Sequence, residues 1–221
     1  MTDRKTILQG VVGSTAFGLA TPESDIDRYG VWVWPTDHVL RRYENVERKE
    51  DSNVQTKPDV AMHEVGKFIR LAAGGRPPEL EALFLPEHEI LTLEGDLLVS
   101  NRKLFVSRKI MGSYVKFSKS LWTRTPPEAK KEKQARHAWR LLVEAEHLLR
   151  DGRPHVMLAD MEADECRSMG KVAVDAPELF EYRFLKYIER LQDISTDLPE
   201  RPDHEAIADL LVTIRRMNLL V

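Results

Sequence analysis

The sequence predicts an α+β fold, with a small sheet and flanking helices over residues 1–106 and a helical part over residues 107–221. Three observations predict it. Short β-branched or alternating runs, separated by Gly, Pro and Ser clusters, crowd the first part of the chain. After about Asn101 the apolar residues recur at helical spacing instead. The 221 residues are 42% hydrophobic and 31% charged, a balance that can bury a core and is not that of a disordered chain.

The same numbers exclude several classes. A formal net charge of −3 means that any nucleic-acid contact must use a local basic patch rather than bulk charge. The single cysteine, Cys166, rules out an intrachain disulfide and a cysteine metal site, and suits a reducing cytoplasm. The opening MTDRKTILQGVVGS lacks the apolar run of a signal peptide, and no segment is long and apolar enough for a membrane span.

Each element follows from local chemistry. Thr6–Val12 is a first strand, closed by Gly13. Gly13–Ala20 opens a short helix or turn, and Thr21-Pro22-Glu23-Ser24 is loop. Asp25–Trp34 reads as a second strand stopped by Pro35, central and buried because both its faces are apolar around Trp32 and Trp34. Thr36–Lys57 reads as an irregular polar excursion or small hairpin, and Asp59–Met62 as a third strand. Val65, Phe68, Ile69 and Ala72 share one helix face, which Gly74-Gly75 ends. A further helix starts at Pro77-Pro78 and stops at Pro86, and Glu89–Leu93 is a candidate fourth strand. Helices are then expected over 110–122, 128–150, 176–197 and 203–218, with breaks at Thr125-Pro126-Pro127, Asp151-Gly152-Arg153-Pro154 and Leu198-Pro199.

The chemistry concentrates in GSTAFGLATPESDIDRYGVWV, residues 13–33. On a strand, Asp25 and Asp27 point to the same side, where two like charges repel unless a cation lies between them. Hard oxygen donors select Mg²⁺ or Mn²⁺. A bare pair of this kind is also what a solvated strand end looks like. Gly13 and Ser14, at the end of an apolar strand, add free backbone N–H groups that can cradle a phosphate, and Asp59 on another strand could complete a three-carboxylate site.

This string resembles the active-site signature of the DNA polymerase beta-like nucleotidyltransferase superfamily. It is closer still to the RNA-ligase-associated (RlaP or YcgL-type) branch, whose core reads G-S-x-x-[YF]-G-L-A-x-P-x-S-D-x-D-x-x-G-V. The segments PDVAMHEVGKFIRLAAGGRPPELEALFLP and KEKQARHAWRLL extend the resemblance over roughly residues 7–152. The resemblance implies a minimal nucleotidyltransferase mixed sheet, followed by a helical bundle that closes on the nucleotide. Two departures stand out. Almost no chain precedes the first strand, where relatives carry a helix, and Arg76 precedes Pro77 where asparagine is expected. The second touches substrate choice more than chemistry.

The 128–150 helix supplies a second half-site. At about 100° per residue, Lys133, His137, Arg140 and Glu144 fall on one stripe opposite a broad apolar face. Read alone, the stripe is a solvated face carrying an Arg140–Glu144 ion pair. Beside the resemblance, it reads as a triphosphate clamp of His137, Arg140 and Lys133. His63-Glu64 reads as structural, Arg41-Arg42 and Lys57 as solvated loop or acceptor contacts, and Cys166 as incidental. The resemblance places a recurring glutamate near Glu81, with no role attached.

The resulting expectation is a metal-dependent enzyme that moves an NMP from an NTP, ATP first, to an acceptor hydroxyl with pyrophosphate release. Asp25, Asp27 and Asp59 are its catalytic and metal-binding set, and Gly13, Ser14, Lys133, His137 and Arg140 bind the nucleotide. RNA is the leading acceptor, with no membrane involved. A protein or small-molecule acceptor, a non-catalytic nucleotide-binding module and a homo-oligomer stay open.

Overall fold

The structure is a computed structural model that describes residues 4–41, 51–56, 59–123 and 128–219. Its order is β1 (Lys5–Val12), α1 (Gly13–Ala16), β2 (Asp27–Val33), α2 (Thr36–Leu40), β3 (Ser52–Thr56), β4 (Asp59–Glu64), α3 (Val65–Ala73), α4 (Pro77–Leu83), β5 (Ile90–Leu91), α5 (Leu93–Ser100), α6 (Lys109–Thr123), α7 (Glu128–Asp151), α8 (Asp160–Asp175), α9 (Pro177–Gln192) and α10 (His204–Met217). A 3₁₀ turn at Arg102–Phe105 joins the two halves. Among the described residues no helix is long and apolar enough to cross a membrane.

The α+β expectation holds. The sheet runs β3-β4-β2-β1-β5, and it is mixed because β2 and β4 are parallel while the other pairs are antiparallel. β2 lies at its centre, and Trp32 and Val33 are buried, as two apolar faces require. Pairing ends at Val12↔Asp27 because Gly13, at φ 69°, turns the chain out of β1. The pairing continues on the other side at Arg28↔Val60, so Asp27 and Asp59 stand side by side at the same end of adjacent parallel strands.

One continuous core links the sheet to the helices, from Leu8 and Val31 through Phe68 and Leu80 to Leu142 and Phe184. The last helix returns to the first half. Arg215 of α10 pairs with Glu64 at 2.7 Å, and the amide of Thr36 donates to the Asn218 carbonyl at 2.9 Å. α7 is the hub of the helical part, lying against α6, α8 and α9.

Several local expectations need correction. Asp25 lies before β2, not on it: the Ser24 amide donates to the Thr21 carbonyl at 2.9 Å, which folds 21–24 into a turn, and β1 offers no partner beyond Asp27. The 36–57 excursion contains α2 and the strand β3, and β3 pairs with β4 beyond it rather than within a hairpin of its own. Arg42, Lys57 and the Thr125-Pro126-Pro127 break lie outside the described residues. α8 escaped the periodicity reading because its buried face is made of small or soft residues, Ala163, Cys166, Met169, Gly170 and Ala173. A β-carbon on Gly170 would stand 3.0 Å from the Glu132 carbonyl of α7, so close helix packing there depends on its absence. Cys166 is a packing residue whose thiol burial pushes up to about 12, which keeps it unreactive.

Candidate active site

The end of β1, the start of β2 and the length of α7 converge on one pocket of about 440 Å³. Val12, Gly13 and Phe17 form one side, with Asp27 and Tyr29 of β2. Pro77, Pro78 and Glu81 come from α4, and Phe117 and Leu121 from α6. Lys130, Lys133, Gln134, His137, Arg140 and Leu141 of α7 close it. Five of the expected residues therefore share one cavity: Gly13, Asp27, Lys133, His137 and Arg140. The other three stand outside its lining. Ser14 is buried in the turn, while Asp25 and Asp59 are exposed.

The three aspartates nonetheless feel one another. Burial raises the Asp27 carboxyl above its ordinary value, and the charge of Asp59 raises it further. Lys133 opposes that rise and Asp25 adds to it. Asp27 is pressed against the turn, since a β-carbon on Gly13 would meet its Oδ2 at 2.2 Å. Among the described residues no three His, Cys, Asp or Glu side chains form a ready cation cage. What fits a divalent ion is the donor set: hard carboxylate oxygens at one sheet end whose mutual repulsion a cation would relieve.

The basic stripe divides into two kinds of residue. Lys133 is exposed at the mouth of the pocket. His137 lies deeper, its ring edge-on to Phe17 at 6.3 Å. Burial, then the charges of Arg140, Arg136 and Lys133, push His137 down to about 3, so it is neutral at pH 7. Arg140 is buried and committed to a network, which corrects the picture of a solvated face. Its Nη2 donates to Glu81 Oε1 at 2.9 Å, and its Nη1 donates to Glu144. Its guanidinium stacks 3.7 Å over the centre of Phe17. Tyr114 Oη donates to the other oxygen of Glu144 at 2.9 Å. Burial opposes the charge on Arg140, and Glu81 and Glu144 restore it. Burial raises Glu144 well above its ordinary value, and Glu81 adds to that rise. The role that the sequence left open for Glu81 is thus an ion pair with Arg140.

Sequence reasoning passed over the apolar wall of Phe17, Phe117 and Leu121, together with Lys130 and Gln134. Phe17 stands inside the signature string and Lys130 begins the basic segment of α7, but helical spacing alone could not aim either of them at Asp27. His63, read above as structural, is engaged by side chains of the fold. Ser52 Oγ lies 2.9 Å from its Nδ1, and the ring lies edge-on to Tyr29 at 5.7 Å.

The chain shows 29% identity over 99 residues to an "Uncharacterized 38.9 kDa protein in nrdC-mobD intergenic region" of Enterobacteria phage T4, covering 42% of this chain and 29% of the phage protein. The chain thus spans less than a third of that relative's length. The family described as "RlaP: RNA repair pathway DNA polymerase beta family" matches residues 2–192. With most of its length matched, sheet and basic helix included, the chain belongs to the RlaP family of RNA repair pathway, DNA polymerase beta-type proteins.

Proposed function

We propose that this protein transfers an NMP from an NTP to an acceptor hydroxyl, with release of pyrophosphate. The observation that carries the reading is the shared pocket, which sets Asp27 of β2 opposite Lys133 and His137 of α7. Asp25, Asp27 and Asp59 would hold Mg²⁺ or Mn²⁺. When bound, the metal supplies Lewis-acid stabilisation of charge on the reacting phosphate.

The chain's own residues do the rest. Lys133 and Lys130 offer point charges to the phosphates at the pocket mouth. Gly13 and Ser14 would offer backbone N–H groups to a phosphate oxygen. Neutral His137 can hydrogen-bond a phosphate or sugar oxygen without adding charge. Arg140 shapes the floor: its ion pairs and its stacking on Phe17 tie α7 to α4 and to the loop after Gly13. Phe117, Leu121 and the two prolines offer an apolar slot for the base. Asp59, exposed beside Asp27, would orient the acceptor hydroxyl and take its proton. ATP in a cytoplasmic setting and an RNA acceptor complete the reading.

The test is incubation with each α-³²P-labelled NTP and Mg²⁺, with total RNA and with total protein. Label should move to RNA with wild type and stay free with Asp27→Asn, whose fold is checked by circular dichroism. Wild-type-level transfer by Asp27→Asn would refute the assignment. Label on protein instead would move the acceptor to a protein hydroxyl. NTP binding without transfer to any acceptor would favour a nucleotide-binding module.

A further inference from the structure

The pocket has a charged side and an apolar side, and α7 reaches both. At about 100° per residue, Lys133 and Arg140 lie on one flank of its pocket-facing stripe. Gln134 closes the other flank, about 100° round the helix from Lys133 and next to Leu141. The neighbouring α6 decides what that second flank meets. Tyr114 Oη donates to Glu144, and Ser118 Oγ donates to the Ala138 carbonyl at 2.6 Å. The two helices therefore run antiparallel, and Leu121 comes level with the turn of α7 that holds Gln134. Phe117, Leu121 and Gln134 all line the pocket. Gln134 thus stands on the side of the cavity read above as the slot for the base.

The hydrogen bonds of Gln134 are still to be made. Its Oε1 is buried and accepts none. Among the described residues, no group bonds the Nε2 end of the amide either. A buried amide oxygen without a donor is costly, so the site gains from a ligand that supplies one. Other polar groups of the lining are already engaged. Tyr29 Oη donates to Glu79 at 3.0 Å, and Glu81 accepts from Arg140 at 2.9 Å. Asp27 lies against Gly13 at the sheet end. Lys130, one turn before Gln134, can donate but not accept.

We propose that Gln134 selects the base of the nucleoside triphosphate, and that the base it selects is adenine. The inference rests on the nucleotide site proposed above and adds what that site distinguishes. A side-chain amide is a donor beside an acceptor. The N6/N7 edge of adenine is its complement, an amino donor beside a ring acceptor, and a glutamine can hold both at once. The O6/N7 edge of guanine or hypoxanthine offers two acceptors, which leaves Oε1 unpaired and facing a second oxygen. A site that must strand its own buried polar atom rejects a ligand more strongly than one that merely loses an apolar contact. Phe117 and Leu121 hold any base by its faces, so they add affinity without choice.

The test is isothermal titration calorimetry with Mg²⁺ and no acceptor, comparing ATP with inosine triphosphate, which differs from it in the edge that Gln134 reads. Wild type should bind ATP about tenfold or more tighter. Gln134→Leu, close in size and with no internal hydrogen bond to lose, should bring the two affinities together by weakening ATP. Gln134→Glu keeps an acceptor for the amino group and should keep ATP ahead. A purely structural Gln134 would instead shift both nucleotides alike. Equal wild-type affinities overturn the proposal, and so does an ATP preference that survives in Gln134→Leu. Base preference is read from binding and NMP transfer from label, so each reading can fail alone. A protein that prefers ATP but transfers nothing refutes only the transfer, and one that transfers AMP and IMP equally well refutes only the base reading.

Discussion

Gly13 and Asp27 face each other across the end of the β1–β2 ladder, so close that a β-carbon on Gly13 would lie 2.2 Å from Asp27 Oδ2. Gly13 also has φ 69°, a conformation in which a side chain is strained. Gly13→Ala therefore carries two penalties, backbone strain and displacement of the Asp27 carboxylate. A loss of about 1–3 kcal/mol in urea unfolding is expected. Weaker Mg²⁺-dependent NTP binding should accompany it, and unchanged values of both would remove Gly13 from the site.

Asp59 raises the Asp27 carboxyl, so Asp59→Asn should lower it in a carboxylate NMR titration. The sign follows from linkage. A carboxyl raised in the fold favours folding while protonated, and that contribution is lost as pH rises through its folded value. At pH 7 the ionised pair is a cost, and Asp59→Asn should raise the melting temperature without divalent ions. With Mg²⁺ present, the variant should gain less than wild type. A melting temperature unchanged in EDTA would show that the two carboxylates do not repel.

His137 titrates at about 3 in the fold against an ordinary 6.5, so the unfolded chain binds a proton that the native state refuses. The stability this contributes is complete above about pH 6.5 and is lost as pH falls towards 3. Comparing His137→Asn with wild type by urea unfolding across that window should show a shallower pH dependence in the variant. In wild type, the His137 ring should stay neutral at pH 5 by NMR. An imidazolium at pH 5 would contradict its burial beside Arg140.

The Arg140 network predicts an asymmetry. Arg140→Ala leaves Glu81 and Glu144 buried together without their cation, and about 3–5 kcal/mol should be lost. Glu144→Gln leaves Glu81 in place as the carboxylate partner of Arg140, so it should cost less, about 1 kcal/mol. Urea unfolding of the two variants decides it. Equal losses would mean that Glu81 alone does not hold the Arg140 guanidinium.

Much of the site was legible before the structure. Gly13, Asp27 and Asp59 were marked by local chemistry and by a compact signature, and Lys133, His137 and Arg140 by a 3.6-residue stripe on one helix. Neither feature depends on knowing the rest of the chain. Periodicity failed at α8, where small residues such as Ala163 and Gly170 bury a face without looking apolar. It failed again at Asp25, because the 21–24 turn, not alternation, decides where β2 begins.

By itself the sequence determined that the fold is α+β, that acidic strand ends and a basic helix are its chemical features, and which family it resembles. These are properties of neighbours along the chain. Tertiary structure alone decided that the two features meet in one pocket, that Glu81 reaches Arg140 across 59 positions, and that Phe17 lies beneath its guanidinium. The physical reason is burial. Helical spacing says which residues share a face, but only packing says whether that face meets water, a carboxylate or a ring. It thereby separates Lys133, exposed and available to a phosphate, from Arg140, desolvated and held by two carboxylates.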